Sequence, residues 1–255
     1  MFTNITDTHA HYNSSAFCED MDNMLTSLPE AGIFRVINCG VDIPTSEESR
    51  LMAEKYDFVY FAAGIHAQEC ADKDMTDIER IKSFLSHPKC AGIGEIGLEY
   101  HYDCAPKEKQ ILFFEEQVKI ANDYHLPVIV HDREAHGDTL AILKKYRPQG
   151  VLHCFSGSTE TAKEILDLGM YIGLGGAVTF KNAKKPVEVA KYVPEDRLLL
   201  ETDCPYMTPV PFRGQRNDST FIQYTADFIA QLRGTDTQTL IDKATQNALT
   251  LFALR

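Results

Sequence analysis

The chain has 255 residues, 44% of them hydrophobic and 24% charged, and a net charge of −12. That length suits one α/β barrel of roughly 250 residues or two small domains, and the composition is ample for a buried core. The acidic balance argues against a protein that coats long nucleic acid, where basic surface supplies the affinity, but not against an enzyme gripping a short strand.

No apolar run approaches the roughly 20 residues of a membrane span. The start, Met1-Phe2-Thr3-Asn4, has neither a basic region nor a signal-like apolar core, so no membrane and a cytoplasmic location are expected. The seven cysteines include no Cys-x-x-Cys pair, and Cys39, Cys90 and Cys154 lie in apolar runs, as small buried hydrophobes do. Cys154 adjoins His153, but adjacent strand residues face opposite ways, which argues against both binding one metal.

Eight short apolar runs read as strands covered on both faces: 3–8, 34–39, 58–64, 91–95, 127–131, 150–153, 170–174 and 198–201. The first leads into Thr6-Asp7-Thr8-His9-Ala10-His11, where i, i+2 spacing lets both histidines reach one metal. The third leads into Gly64-Ile65-His66, the fourth ends on Glu95, the fifth on His131 and the sixth on His153. The eighth ends on Glu201, with Asp203 two residues on. Between the strands lie helix-like segments. The clearest is 107–124, with the stripe Ile111, Phe114, Val118, Ala121. The others are 159–168 with Ser158 as N-cap, 218–232, and a closing 236–254 with Asp236 as N-cap. Strand alternating with helix over eight repeats predicts a (β/α)8 TIM barrel, one domain over 1–255. The alternative is an open doubly wound sheet, which collects ligands at a single switch point. Ligand-type residues end the first, fourth, fifth, sixth and eighth strands, and a barrel can converge them.

The expected metal ligands are His9, His11, Glu95, His131, His153 and Asp203. Each alone has an ordinary reading, as a satisfied core histidine, a salt-bridge partner or a helix cap. Together on one rim they predict a metallohydrolase. Glu95, from the middle of the barrel, is the natural bridge between two cations. His9, His11 and Asp203 would complete one site, and His131 and His153 the other. Two divalent ions roughly 3.5–4 Å apart can activate a water nucleophile and brace an in-line displacement. Mixed histidine and carboxylate donors suit Mg²⁺, Mn²⁺ or Zn²⁺. Asp203 and Glu95 are the expected catalytic carboxylates, Asp203 as the base. Glu201 could face a third metal or a catalytic water, or could be a buried partner of a barrel cation. His66 could touch a substrate phosphate or be a polar rim residue.

The stretch 204–217 is proline-rich and should form a stiff loop over the rim. It carries Arg213 and Arg216, expected as phosphate-binding residues or, alternatively, as pins for the loop. Lys181, Lys184 and Lys185 lie after the seventh strand. Phe180, Tyr206 and Phe212 could stack on bases or simply pack.

These residues resemble the TatD family of metal-dependent deoxyribonucleases, within the amidohydrolase-like barrels. The matching landmarks are Asp7-Thr8-His9-Ala10-His11, Gly94-Glu95-Ile96-Gly97-Leu98, Pro127-Val128-Ile129-Val130-His131, His153-Cys154-Phe155-Ser156-Gly157, Glu201-Thr202-Asp203-Cys204-Pro205 and Pro211-Phe212-Arg213-Gly214-Gln215-Arg216-Asn217. They span nearly the whole chain in family order. The resemblance implies a (β/α)8 barrel, divalent metals and phosphodiester hydrolysis of DNA, often as a 3′→5′ exonuclease, with the six ligands above and Glu201 and His66 in the active site. Two positions depart from the family pattern: Glu99 stands where aspartate is usual, and Ala67 where proline usually follows the strand-3 histidine. The function expected is divalent-metal-dependent hydrolysis of short single-stranded or frayed DNA, with no obligate protein partner. The alternatives are a metal-dependent deacylase of aminoacyl-tRNA or another ester, and a catalytically silent nucleic-acid-binding barrel.

Overall fold

The computed structural model describes residues 2–254. Among these residues eight parallel strands run in sequence order: β1 Ile5–Ala10, β2 Ile33–Cys39, β3 Val59–Ala63, β4 Cys90–Glu99, β5 Val128–Arg133, β6 Gly150–Leu152, β7 Tyr171–Leu174 and β8 Leu198–Leu200. The α-helices among the described residues are α1 Met21–Ser27, α2 Ile43–Lys55, α3 Met75–Ile81, α4 Lys107–Tyr124, α5 His136–Tyr146, α6 Thr159–Asp167, α7 Lys184–Tyr192, α8 Ile222–Arg233 and α9 Thr237–Phe252. This is the (β/α)8 barrel, not the open sheet. Ser158 and Asp236 accept from backbone N–H groups at the starts of α6 and α9, as N-caps do. No helix among the described residues is long and apolar enough to cross a membrane.

Two apolar layers hold the barrel. The larger lies between sheet and helices, with Val36, Phe61, Ile96, Phe114, Val130 and Leu200 among its buried members. The smaller fills the barrel itself. Ile37, Tyr60, Ile129, Val151, Tyr171 and Leu199 point inward and meet Leu251 and Phe252 of α9, which plugs the lower end. Inward parity then carries the chemistry upward, because side chains two apart share a face. Ile129 leads to His131 and Arg133, Val151 to His153, and Leu199 to Glu201. β4 departs from this regularity. Its register against β5 shifts between Ile93 and Ile96, a bulge-like irregularity around Glu95.

The barrel closes at its upper rim. Asp203 donates its N–H to the His9 carbonyl at 2.9 Å, and His11 N–H donates to the Cys204 carbonyl at 2.8 Å. Asp7 braces this seam from below. One of its oxygens accepts from the backbone N–H of His9 at 3.2 Å and of Thr202 at 3.0 Å. The other accepts from the hydroxyls of Thr202 at 2.6 Å and Ser219 at 2.7 Å. Burial pushes this carboxyl up to about 6, against the donors that hold it down.

Asp7→Ala would leave buried donors without an acceptor and should cost roughly 3 kcal/mol or more of unfolding free energy. Asp7→Asn keeps the shape, and the two hydroxyls can turn to accept from its amide, so its loss should be smaller. Urea denaturation should rank wild type above Asp7→Asn above Asp7→Ala; equal midpoints would show that the seam does not need this carboxylate.

Candidate metal centre

Glu95 stands at the centre of five imidazoles. One carboxylate oxygen, Oε2, lies 3.4 Å from His9 Nε2 and 3.3 Å from His11 Nε2. The other, Oε1, lies 2.8 Å from His153 Nε2, 3.0 Å from His131 Nδ1 and 3.5 Å from His66 Nε2. Asp203 adds a second carboxylate, with Oδ1 3.6 Å from His9 Nε2 and 3.5 Å from His11 Nε2. The facing nitrogens of His9 and His11 are only 2.9 Å apart, and the His9 ring stacks on His153 at 3.8 Å between centroids.

Among the described residues three overlapping groups bring ligand atoms close enough to hold a metal ion: His9, His11 and Asp203; His9, Glu95 and His153; and His66, Glu95 and His131. The donor chemistry fits a divalent cation. Imidazole nitrogens and carboxylate oxygens aim at shared space, a set suited to zinc, manganese or iron.

Neighbouring groups fix how each ring is presented, as they do around protein metal sites. His11 Nδ1 donates to the Cys39 carbonyl at 3.1 Å, which leaves Nε2 for the centre. His131 places Nε2 3.2 Å from Glu99 Oε2, which leaves Nδ1 facing Glu95. Glu99 is itself held, because its Oε1 accepts from the N–H groups of His101 at 2.7 Å and Tyr102 at 3.2 Å. His66 is presented differently. Its Nδ1 accepts the Gln68 N–H at 3.2 Å, so the neutral ring carries its proton on Nε2. Among the described residues that buried nitrogen has no hydrogen-bond partner, and it faces the centre as a donor, 3.5 Å from Glu95 Oε1. Burial pushes the His66 imidazole down to about 3, which keeps it neutral.

The remaining charges balance one another. Burial opposes a proton on His11, but Asp203 and Glu95 overcome it and push the ring up to about 10. Burial likewise opposes a proton on His131, and Glu95 and Glu99 push it up to about 9. His9 is pushed down to about 4, by burial first and then by the charge of His153. Burial works against the Glu95 anion, yet the surrounding histidines hold its carboxyl well below the usual range.

The centre forms the floor of an open cavity of about 670 Å³. His11, His66, Glu95, His131, His153 and Asp203 all line it, and His9 is buried just behind. Glu201 does not reach the cavity. It lies behind His153, 3.8 Å from Nδ1, accepts the Cys154 N–H, and occupies the room left by Gly173, where a Cβ would collide with its carboxylate. Burial pushes it up to about 8. Arg213 and Arg216 also stand away from the lining. Arg216 makes a two-pronged pair with Asp20, at 2.6 and 2.8 Å, and lies over Phe17. Arg213 lies 3.8 Å over Phe180 and donates to the Thr208 carbonyl. Lys181, Lys184 and Lys185 are exposed outside the cavity. Phe180 and Tyr206 line the cavity, whereas Phe212 packs on Phe221 and Tyr224.

Comparison with known proteins bears on this centre directly. The model of the family described as "TatD related DNase" matches residues 6–253. The chain belongs to this family. It is 41% identical over 251 residues to the "uncharacterized metal-dependent hydrolase YabD" of Bacillus subtilis (strain 168), covering 97% of this chain and 98% of that one. It is 31% identical to the "3'-5' ssDNA/RNA exonuclease TatD" of Klebsiella pneumoniae (strain 342), over 97% of both chains. The crystal structure of YjjV, a TatD homologue from Escherichia coli K12, superposes with a TM-score of 0.94 at 31% identity, over 100% of both chains. The protein is therefore a TatD-family metal-dependent hydrolase.

Arg133 lies two residues beyond His131 on the same strand, a spacing that marks it in the sequence as a further inward-facing residue. The partner of Glu99 is not legible in the sequence, because the contact that sets it against His131 runs between strands.

Metal loading should release protons, since cations displace them from His11 and His131. Raising the pH removes those protons in advance, so affinity for Mn²⁺ should climb from roughly pH 6 to 9. Titration calorimetry in two buffers of different ionisation enthalpy should give different apparent heats. Identical heats would mean that the imidazoles carry no displaceable protons.

Proposed function

We propose that this protein hydrolyses phosphodiester bonds in short single-stranded or frayed DNA, working from the 3′ end and using two divalent ions. The observation that carries the reading is the two-sided environment of Glu95. Oε2 faces His9 and His11, which also face Asp203, while Oε1 faces His131 and His153. That division suits one cation held by His9, His11, Asp203 and Glu95, and another held by His131, His153 and Glu95, with Mg²⁺, Mn²⁺ or Zn²⁺ as candidates. Divalent ions, when bound, supply Lewis acidity and lower the pKa of water.

The protein's own groups take the remaining roles. Asp203 faces the cavity as the base that accepts the proton of the attacking water. Burial works against its charge, but His11 and the neighbouring imidazoles hold its carboxyl below the usual value, so it is ionised at neutral pH. His66 presents Nε2–H toward the scissile phosphate, where a donor stabilises the charge that builds in the transition state. Glu201 and Glu99 position His153 and His131 from behind. The open mouth admits a strand end, and the name of the Klebsiella relative supports a nucleic-acid substrate.

Single-stranded DNA labelled separately at each end, incubated with each cation, should lose nucleotides from the 3′ end and stay intact in EDTA. No cleavage with any cation would refute the reading. Asp203→Asn should lower kcat by a factor on the order of 10² or more. Glu95→Gln should lower both activity and the number of metal ions bound, and unchanged stoichiometry would rule out the bridge.

A further inference from the structure

Among the described residues that line the cavity, Arg133 carries the one lysine or arginine charge. It ends β5, two residues beyond His131, on the inward face. Among the described residues its side chain has no ion pair, and the acids around it are engaged elsewhere. Glu99 is held by His131 and two backbone N–H groups, and Asp132 pairs with His136 at 2.6 Å and accepts the Ala135 N–H. The guanidinium bears on the Cys154 thiol, which burial raises and Arg133 lowers. It lies over the ring of Tyr102, whose centroid is 5.9 Å away and which is 55% exposed. An unpaired arginine beside an exposed ring is equipped for a phosphate and a base together.

We propose that Arg133 and Tyr102 form the subsite for the nucleotide next to the scissile bond. Arg133 binds the phosphate one step along the strand, and Tyr102 stacks on the adjoining base. The spacing suits this, since two residues of strand advance about 6.6 Å, the order of one nucleotide in an extended chain. The subsite rests on the phosphodiesterase reading and adds to it the length of substrate recognised. It also assigns the anion-binding role to a cation that is free, whereas Arg216 is spent on Asp20 and Arg213 on the loop.

The test compares the dinucleotide TpT, which has no second phosphate, with the trinucleotide TpTpT. Arg133→Ala should raise KM for the trinucleotide roughly 10- to 100-fold more than for the dinucleotide, the scale of a hydrogen bond to a charged group. Arg133→Lys should restore part of this, because it keeps the charge without the fork. A trinucleotide with a neutral methylphosphonate at the second linkage should reproduce the loss in wild type and add little in Arg133→Ala, as a coupled pair requires. Tyr102→Phe should keep the trinucleotide preference, and Tyr102→Ala should weaken it. Anisotropy of a labelled oligothymidylate in EDTA gives a readout independent of turnover. Arg133→Ala should make its log affinity less steep against log salt by about 0.7. Additive losses from methylphosphonate and Arg133→Ala, or an equal loss on both substrates with lowered thermal stability, would overturn the subsite and leave the phosphodiesterase reading standing. Failure of the wild type to cleave either substrate with any cation would overturn both.

Discussion

The seam between the first and last strands is the constraint on which the rest depends. β1 and β8 meet through residues 9–11 and 203–204, and the buried Asp7 carboxylate ties the seam to Thr202 and Ser219. Closure there sets Asp203 beside His9 and His11, although nearly 200 positions separate them in the chain. An open sheet would leave these side chains at opposite edges. The left-handed backbone at Asp203, with φ 57°, belongs to the same device, since it turns the chain at the rim. Such conformations cost energy in non-glycine residues and persist where surrounding contacts over-determine them.

With the ring closed, electrostatics governs the centre. A buried carboxylate is costly unless paired, and so is a buried imidazolium. Here each relieves the other: the surrounding imidazoles hold the Glu95 and Asp203 carboxyls below their usual range, while Asp203 and Glu95 push His11 upward and Glu95 and Glu99 push His131 upward. The arrangement is balanced, and a divalent cation held by these groups would take the place of the protons. Ring orientation is set in advance by Cys39, Glu99 and Gln68, so the imidazoles do not have to be ordered when a cation arrives. His66 is the instructive exception. The same device that aims the other rings as acceptors aims it as a donor.

Most of this was legible in the sequence because barrel parity is simple. An apolar inward residue two positions before a histidine or acid marks an inward-facing residue near the rim, and His131, His153 and Glu201 follow that rule. The strand ends themselves were less legible. β4 runs on to Glu99, beyond the expected end at Glu95, because β5 continues beside it and no turn residue marks the true stop. The helices 21–27, 43–55, 75–81, 136–146 and 184–192 carry no comparably long apolar stripe in the sequence, and each rests on the barrel through a few buried residues. The arginine loop shows a different limit. Proline content did predict a defined loop, but which cations face the cavity depends on Asp20 and Phe17, far away in sequence. Glu201 could be placed on the inward face, yet only Gly173 on the neighbouring strand shows that its carboxylate tucks behind His153.

The account turns on Glu95 serving two cation positions, one on each oxygen. Anomalous diffraction from crystals soaked in Mn²⁺ or Zn²⁺, collected at the metal's absorption edge, tests this directly. The account predicts two peaks roughly 3.5–4 Å apart, one beside His9, His11 and Asp203 and the other beside His131 and His153, with Glu95 between them. A single peak at full occupancy, or two peaks that do not share Glu95, would contradict it.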